Sequence, residues 1–452
     1  MHAPMLMVLF ACSAPVEDGE LDVDAYVGVP GCVENAAAFE SFKVSVDPEM
    51  GTVLHASWFG EPATLHYEDA LGHARAVELV EEAVLVGFLA RDLVSLQLVV
   101  GETCSPVRIV ETGSLPAGLP EAEVTRGDGP ETEAFVAVSV MTQMDRRAMV
   151  FETVTGEPVW QWALPQGTLS PAFRVHLRHD GGGVLVNVRE TPNSIGGLYR
   201  VDWDGQSTFI AVPGSGVDFY EHTDGTLTVL STQIRMDESG TLIEGDRLLK
   251  VGPDGDVVEI WNMFDDYPHE FGPTTLSTDE GDYREWAHAN GLAYDEGNHA
   301  YLLSLPNIRV VASIDVETRG LNWRLGDRGD FTETGLGSLG VVDMPHSVQL
   351  LDDGNVLLFN RGIELNCSYA AEVALSMEAG TADLVWDHAS ASCLTVAFLG
   401  EALRLPDGDT VIVWSSSGTL DIVSPEGDLR WRMALDFGAG FGFVEHATQL
   451  GG

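Results

Sequence analysis

The sequence predicts an all-β protein, a six-bladed β-propeller preceded by a small fibronectin-like β-sandwich. Three observations predict it. Tryptophan recurs at strand ends, at Trp160, Trp261, Trp323, Trp386 and Trp431. Between them lie tight turns at Asp180-Gly181, Asp224-Gly225, Glu296-Gly297, Asp353-Gly354 and Asp407-Gly408. The resulting repeats fall near 134–165, 172–212, 217–264, 285–326, 344–388 and 400–435. Six four-stranded units at this period fit a propeller. Glycine at the second turn position takes positive φ without strain, which suits tight hairpins. A tryptophan on the outer strand fills the gap that widens between blades away from the axis.

Ahead of the repeats, residues 34–112 read as short strands. Phe42 to Val46, Val53 to Trp58, Ala63 to Tyr67, Val94 to Val100 and Val107 to Val110 alternate partly, with turn residues between them. This pattern predicts the sandwich. Leu115-Pro116-Ala117-Gly118-Leu119-Pro120 reads as a stiff linker that marks its end. The expected organisation is a signal over 1–12, an acidic tether over 13–33, a sandwich over 34–118 and a propeller over 128–450.

The apolar run from Met5 to Ala11 ends at Cys12 and is followed by an acidic segment. It looks like a bacterial lipoprotein signal with Cys12 as the lipidated residue, a plain secretory leader being the alternative. Export to the periplasm, or anchoring at the outer membrane, is therefore expected. The other cysteines are Cys32, Cys104, Cys367 and Cys393. Their even number in an exported chain suggests the disulfides Cys32–Cys104 and Cys367–Cys393, with buried free thiols the alternative.

Asp and Glu number 70 against 23 Lys and Arg, a net charge of −47. Lys43 and Lys250 are the only lysines. Such a surface repels phosphate backbones and argues against both nucleic-acid binding and docking on anionic lipid through basic patches. No run of about 18 apolar residues occurs to form a transmembrane helix.

In a propeller the innermost strands start near one end of a central channel, so equivalent positions in successive blades converge. His346 stands eight residues before Gly354, and the matching positions are Val217 and Gly400. In the fourth repeat His288 and Asn290 precede Gly297 at nearly the same height. Read as a strand, His288 and Asn290 share a face. Two imidazoles and a carboxamide are thus expected around one channel mouth. Such a pair suits covalent transfer, one ring attacking while the other moves a proton and Asn290 binds an anionic oxygen. The alternative is that each histidine only bonds a backbone carbonyl in a polar channel. Two histidines without a cysteine or a spaced carboxylate make a weak zinc signal, so no metal and no cofactor is expected. No GxSxG, P-loop or HExxH motif occurs.

These residues resemble the bacterial PAPS-independent arylsulfotransferases. Trp286-Ala287-His288-Ala289-Asn290-Gly291 is similar to that family's Trp-x-His-x-Asn segment. Leu321 to Asp327 is similar to the stretch that follows it. Pro345-His346-Ser347-Val348, continuing through Gly354 to Gly362, is similar to the segment with the sulfated histidine. Leu403 to Thr410 and the Leu-Pro-Ala-Gly-Leu-Pro linker also match, so the likeness spans most of residues 34–435. The resemblance implies transfer of a sulfuryl group from an aryl sulfate donor to a phenolic acceptor. His346 is then the nucleophile, His288 the acid or base, and Asn290 a ligand of sulfuryl oxygens. Two departures stand out. Pro306 occupies the place of a family arginine, and Val217 that of a family histidine. Arg309 and Arg361 are the candidates to replace the missing cation. The other function expected is a non-catalytic propeller lipoprotein that binds or scaffolds in the cell envelope. A quinone-dependent dehydrogenase would need more blades and a calcium site. Donor and acceptor identity and the oligomeric state are left open.

Overall fold

A computed structural model describes residues 28–127, 134–141, 146–168, 170–191, 195–267, 274–278, 281–334, 340–435 and 440–450. Cys12, the leader over 1–12 and the tether up to residue 27 lie outside the described residues.

Two sheets form the N-terminal sandwich. One has three strands, Lys43–Val46, Leu54–Ser57 and Glu82–Leu85. In the other, Ala63–Glu68 lies between Ala74–Leu79 and Leu93–Val100, and Arg108–Glu111 pairs with the last of these. Alternate residues of both sheets face a common core that includes Phe42, Leu54, Leu65, Phe88 and Leu98. A Cys32–Cys104 disulfide ties the chain entry to this sheet. Met50, Val53 and Val86 pack into a cluster with Phe135 and Trp160, and Thr52 Oγ1 donates to the Val159 carbonyl at 2.6 Å. The sandwich is therefore seated on the first blade.

Six four-stranded antiparallel blades follow. The second to sixth run over Ala172–Ala211, Ser215–Asn262, Gly291–Gly326, Pro345–Ala389 and Glu401–Leu435. The first repeat supplies only three strands, Phe135–Met141, Arg146–Glu152 and Pro158–Ala163. Its innermost strand is Gly440–Ala447, which pairs antiparallel with Phe135–Met141. The two ends of the repeat region thus share one blade, and this closes the ring. After the linker, Ala122–Arg126 adds a fifth strand to the outer edge of the sixth blade.

The tryptophans pack as their spacing predicts. Trp160 is fully buried and its Nε1 donates to the Trp203 carbonyl of the second blade at 2.9 Å. Trp431 of the sixth blade donates to the Thr153 carbonyl of the first at 2.8 Å. The second blade has no tryptophan on its outer strand, where Phe209 stands instead. The Asp-Gly turns put Gly181, Gly225, Gly354 and Gly408 at positive φ. At Glu296-Gly297 the left-handed residue is His299 instead.

A charged cluster fills the middle of the hub. Arg174, on the inner strand of the second blade, pairs with Asp218 of the third and with Glu401 of the sixth at 2.9 Å. Its guanidinium stacks over Phe443 at 4.4 Å. Asp218 also accepts from Leu292 N of the fourth blade at 2.8 Å, and Glu401 from Val444 N of the first at 2.6 Å. Five blades meet through these three side chains. Arg174 is held protonated: burial opposes its charge, and the two carboxylates outweigh burial.

Candidate active site

At the end of the channel where the innermost strands begin there is a cavity of about 550 Å³. His288, Asn290, His346 and Arg361 all line it, together with Arg189 and Glu285. The remaining wall is mostly apolar, with Met141, Phe173, Val217, Pro306, Phe398 and Leu399 among its residues.

His346 is the second residue of the inner strand Pro345–Leu350. A bulge follows it, with Ser347 at φ 57°, and this breaks the alternation that would otherwise fix the ring direction. Its Nδ1 lies 2.9 Å from the carbonyl oxygen of Gly400 in the next blade. A carbonyl only accepts, so Nδ1 carries the proton and Nε2 keeps its lone pair. No group among the described residues hydrogen-bonds Nε2. Burial pushes His346 down to about 3, and the nearby charge of His288, Arg361 and Arg174 adds to the effect. The ring is neutral at any ordinary pH.

His288 does not lie on a strand, contrary to the premise that placed it beside Asn290. It precedes the inner strand Gly291–Asp295 and takes a left-handed φ of 61°. Such a conformation costs roughly 1–2 kcal/mol in a non-glycine residue. The segment is pinned on both sides. Trp286 N bonds the Glu244 carbonyl at 2.9 Å, Asn307 N the Ala287 carbonyl at 3.1 Å, and Ala289 N Asp246 Oδ1 at 3.0 Å. The turn aims Nδ1 of His288 at buried Glu285 and leaves Nε2 for the cavity. Burial works against a charged ring here, and the hydrogen bond and charge of Glu285 overcome it, so His288 sits above its ordinary value. The site therefore holds one imidazole that is neutral and one that keeps its proton more readily than usual.

Asn290 is buried, and its Oδ1 accepts from Ser304 Oγ at 2.7 Å, which directs the amide NH₂ away from Ser304. Gly291 sets the spacing to His346. A Cβ at Gly291 would stand 2.6 Å from Ser347 Cα, so only glycine lets the fourth and fifth blades approach this closely.

The two arginines proposed as replacement cations part company. Arg309 does not line the cavity. It follows a short 3₁₀ turn, Pro306–Ile308, and pairs with Glu364 and, at 3.5 Å, with Asp343. Arg361 lines the cavity, half-buried, and no carboxylate pairs with it among the described residues. Arg189 is the cation that sequence reasoning missed; it pairs with Glu244 at 3.6 Å. Both arginines follow the second strand of their blade, Gly183–Val188 in one and Val356–Asn360 in the other. Pro306 directly follows the corresponding strand Ala300–Leu305 of the fourth blade. At this one position the second and fifth blades thus carry an arginine and the fourth carries a proline.

A family model, Arylsulfotransferase (ASST), matches residues 162–389, half of the chain. The chain belongs to the arylsulfotransferase family. The matched span contains Arg189, Glu285, His288, Asn290, His346 and Arg361. Comparison with curated protein sequences gives no match. Among solved structures, this family member is similar to a protein of unknown function from Bacteroides caccae. The identity is 16%, covering 71% of this chain and 100% of that one, with a TM-score of 0.42. A functionally unknown protein from Desulfotomaculum acetoxidans is 12% identical over 78% and 95% of the two chains, with a TM-score of 0.41. A virginiamycin B lyase from Staphylococcus aureus is 11% identical over 59% and 71%, with a TM-score of 0.35.

Proposed function

We propose that this protein transfers a sulfuryl group from an aryl sulfate to a phenol through a covalent intermediate on His346. The observation that carries the reading is a neutral imidazole, fixed with Nε2 unprotonated, in a cavity shared with the carboxylate-free Arg361. A half-buried cation without a carboxylate partner among the described residues is unusual in a chain of net charge −47, and it suits an anionic ligand. The apolar wall formed by Phe173, Val217, Leu399 and Phe398 suits an aromatic ring.

The chemistry follows from the two proton states. Nε2 of His346 attacks sulfur, a nitrogen–sulfur bond forms and the sulfur–oxygen bond to the aryl group breaks. The departing phenolate takes the proton of His288. Arg361 and Arg189 offset the charge of the sulfuryl oxygens, and the Asn290 amide donates a hydrogen bond to them. A second phenol then gives its proton to His288 while its oxygen attacks sulfur, and the nitrogen–sulfur bond breaks. His346 returns to its neutral form and His288 to its protonated one. Glu285 holds His288 in place and favours its charged form. Disulfides Cys32–Cys104 and Cys367–Cys393 suit an oxidising compartment outside the cytoplasm. Within this proposal Cys12 carries the lipid that keeps the protein at the envelope.

The test is turnover of para-nitrophenyl sulfate with phenol as acceptor. Parallel double-reciprocal plots, the signature of ping-pong transfer, are expected. Absence of turnover across a panel of aryl sulfates, with folded protein, overturns the proposal.

A pH prediction follows with a definite sign. The first half-reaction needs His288 protonated, so kcat/KM for unsubstituted phenyl sulfate falls as pH rises through the elevated value of His288. Phenyl sulfate is the right donor because its basic leaving group depends most on an acid. Glu285→Gln removes the group that raises His288, so the falling limb moves to lower pH. An unmoved limb in this variant shows that His288 is not the acid.

A further inference from the structure

We propose that the far mouth of the hub binds a divalent transition-metal ion of the zinc class, held by His176, His179 and Glu221 and oriented by Glu445. This site is independent of the transfer reaction. His176 is three residues beyond Phe173, the last cavity-lining residue of the inner strand Ala172–Leu177, and so roughly 10 Å further along the channel at the usual strand rise. The Arg174 cluster and Phe443 lie between the two mouths.

The ligand set is drawn from consecutive blades. His176 ends the inner strand Ala172–Leu177, and His179 lies in the turn that follows it. Glu221 ends the inner strand Ser215–Glu221 of the third blade, and Glu445 lies on the closing strand Gly440–Ala447. One donor atom from each of His176, His179 and Glu221 falls within 4.8 Å of the other two. His176 Nε2 is 3.1 Å from Glu221 Oε2, and His179 Nδ1 is 4.0 Å from the same oxygen. The first distance is close to the roughly 3.3 Å that separates two ligands around one tetrahedral ion; the second is too long for a hydrogen bond, and a small movement of the exposed His179 ring would bring it to that spacing.

His176 Nδ1 lies 2.9 Å from Glu445 Oε2, which also accepts from Leu177 N at 2.6 Å. A carboxylate on one ring nitrogen orients the other nitrogen toward a metal and raises its basicity. Glu221 is fixed in the same way, since its Oε2 accepts from His179 N at 3.0 Å. A protonated His176 between two carboxylates would account for three of these groups, with the His179 ring edge-on to that of His176 at 5.4 Å. In the metal-bound protein the ion takes the place of that proton. His179 is exposed, which gives an ion a path from solvent and leaves a fourth position for water. Two histidines and one carboxylate are the donor set of a zinc-class ion rather than of calcium or magnesium.

The experiment uses the full chain, stripped with a chelator and dialysed against zinc. One zinc retained per chain and a raised melting temperature are expected. His179→Ala, at an exposed position, should bind zinc at least about tenfold more weakly, and Glu221→Gln should do the same. His288→Ala, in the other mouth, should retain zinc unchanged. The proposal is overturned if wild-type protein retains no stoichiometric zinc. It is equally overturned if His179→Ala and Glu221→Gln bind zinc as well as wild type, or if the loss appears in His288→Ala instead.

Discussion

Replacing His346 with alanine should lower sulfuryl transfer by roughly four to six orders of magnitude, the range for loss of a covalent nucleophile. The expectation rests on one hydrogen bond. Gly400 fixes the proton on Nδ1, so Nε2 is the only nitrogen that can attack. Nothing else in the cavity offers a neutral nitrogen of this kind. His288 lines the same cavity, but its proton is favoured and its role is to move it. The variant also loses packing, because His346 is buried with its ring 5.3 Å from that of Phe443. His346→Asn keeps more of that volume and should be as inactive. Equal melting temperatures for His346→Asn and wild type would separate chemistry from stability. Turnover within tenfold of wild type in both variants would remove His346 from the mechanism.

Arg174→Ala should destabilise the protein by about 3–5 kcal/mol, the cost of leaving buried charge without its partner. Two carboxylates, Asp218 and Glu401, would then face each other in the hub with no cation between them. The damage should not stay local. Asp218 holds the backbone at Leu292, two residues beyond Asn290, and Glu401 is the neighbour of Gly400. Activity should therefore fall with stability. Arg174→Met with Asp218→Asn and Glu401→Gln removes the charges together and should recover part of the loss. Urea unfolding of the single and triple variants measures both effects. An Arg174→Ala protein as stable as wild type would show that the cluster does not hold the blades.

Much of the fold was legible because its signals are local. A tight turn, an outer tryptophan or both mark each blade within some forty residues, and Trp160, Trp261 and Trp431 pack where that logic puts them. The closing strand was not legible as part of the first blade. Gly440–Ala447 has no hairpin turn to its partner, and its pairing with Phe135–Met141 spans the whole propeller. Strands Ala74–Leu79 and Glu82–Leu85 carry little signal in the sequence, because they are largely exposed or half-exposed and need no apolar alternation.

The site divides in the same way. Matching first strands found His346, since that strand begins at the cavity. His288 came from the same matching, although its left-handed turn is not a strand and owes its aim to Glu244, Asp246 and Asn307. Arg189 was missed because it sits after a second strand. Matching the residues that follow second strands would have paired it with Arg361 and shown Pro306 as the gap between them. Glu285 stands one residue before the Trp286 segment and belongs to no motif that would mark it. The far mouth was invisible, because His176, Glu221 and Glu445 come from three blades and meet only when the ring closes.

Mass spectrometry of the protein mixed with an aryl sulfate, without acceptor, and quenched in base tests the central claim most directly. The account predicts one sulfuryl group per chain, on the peptide containing His346, discharged when phenol is added. Turnover with an unmodified His346, or a sulfuryl group carried on any other residue, would contradict it.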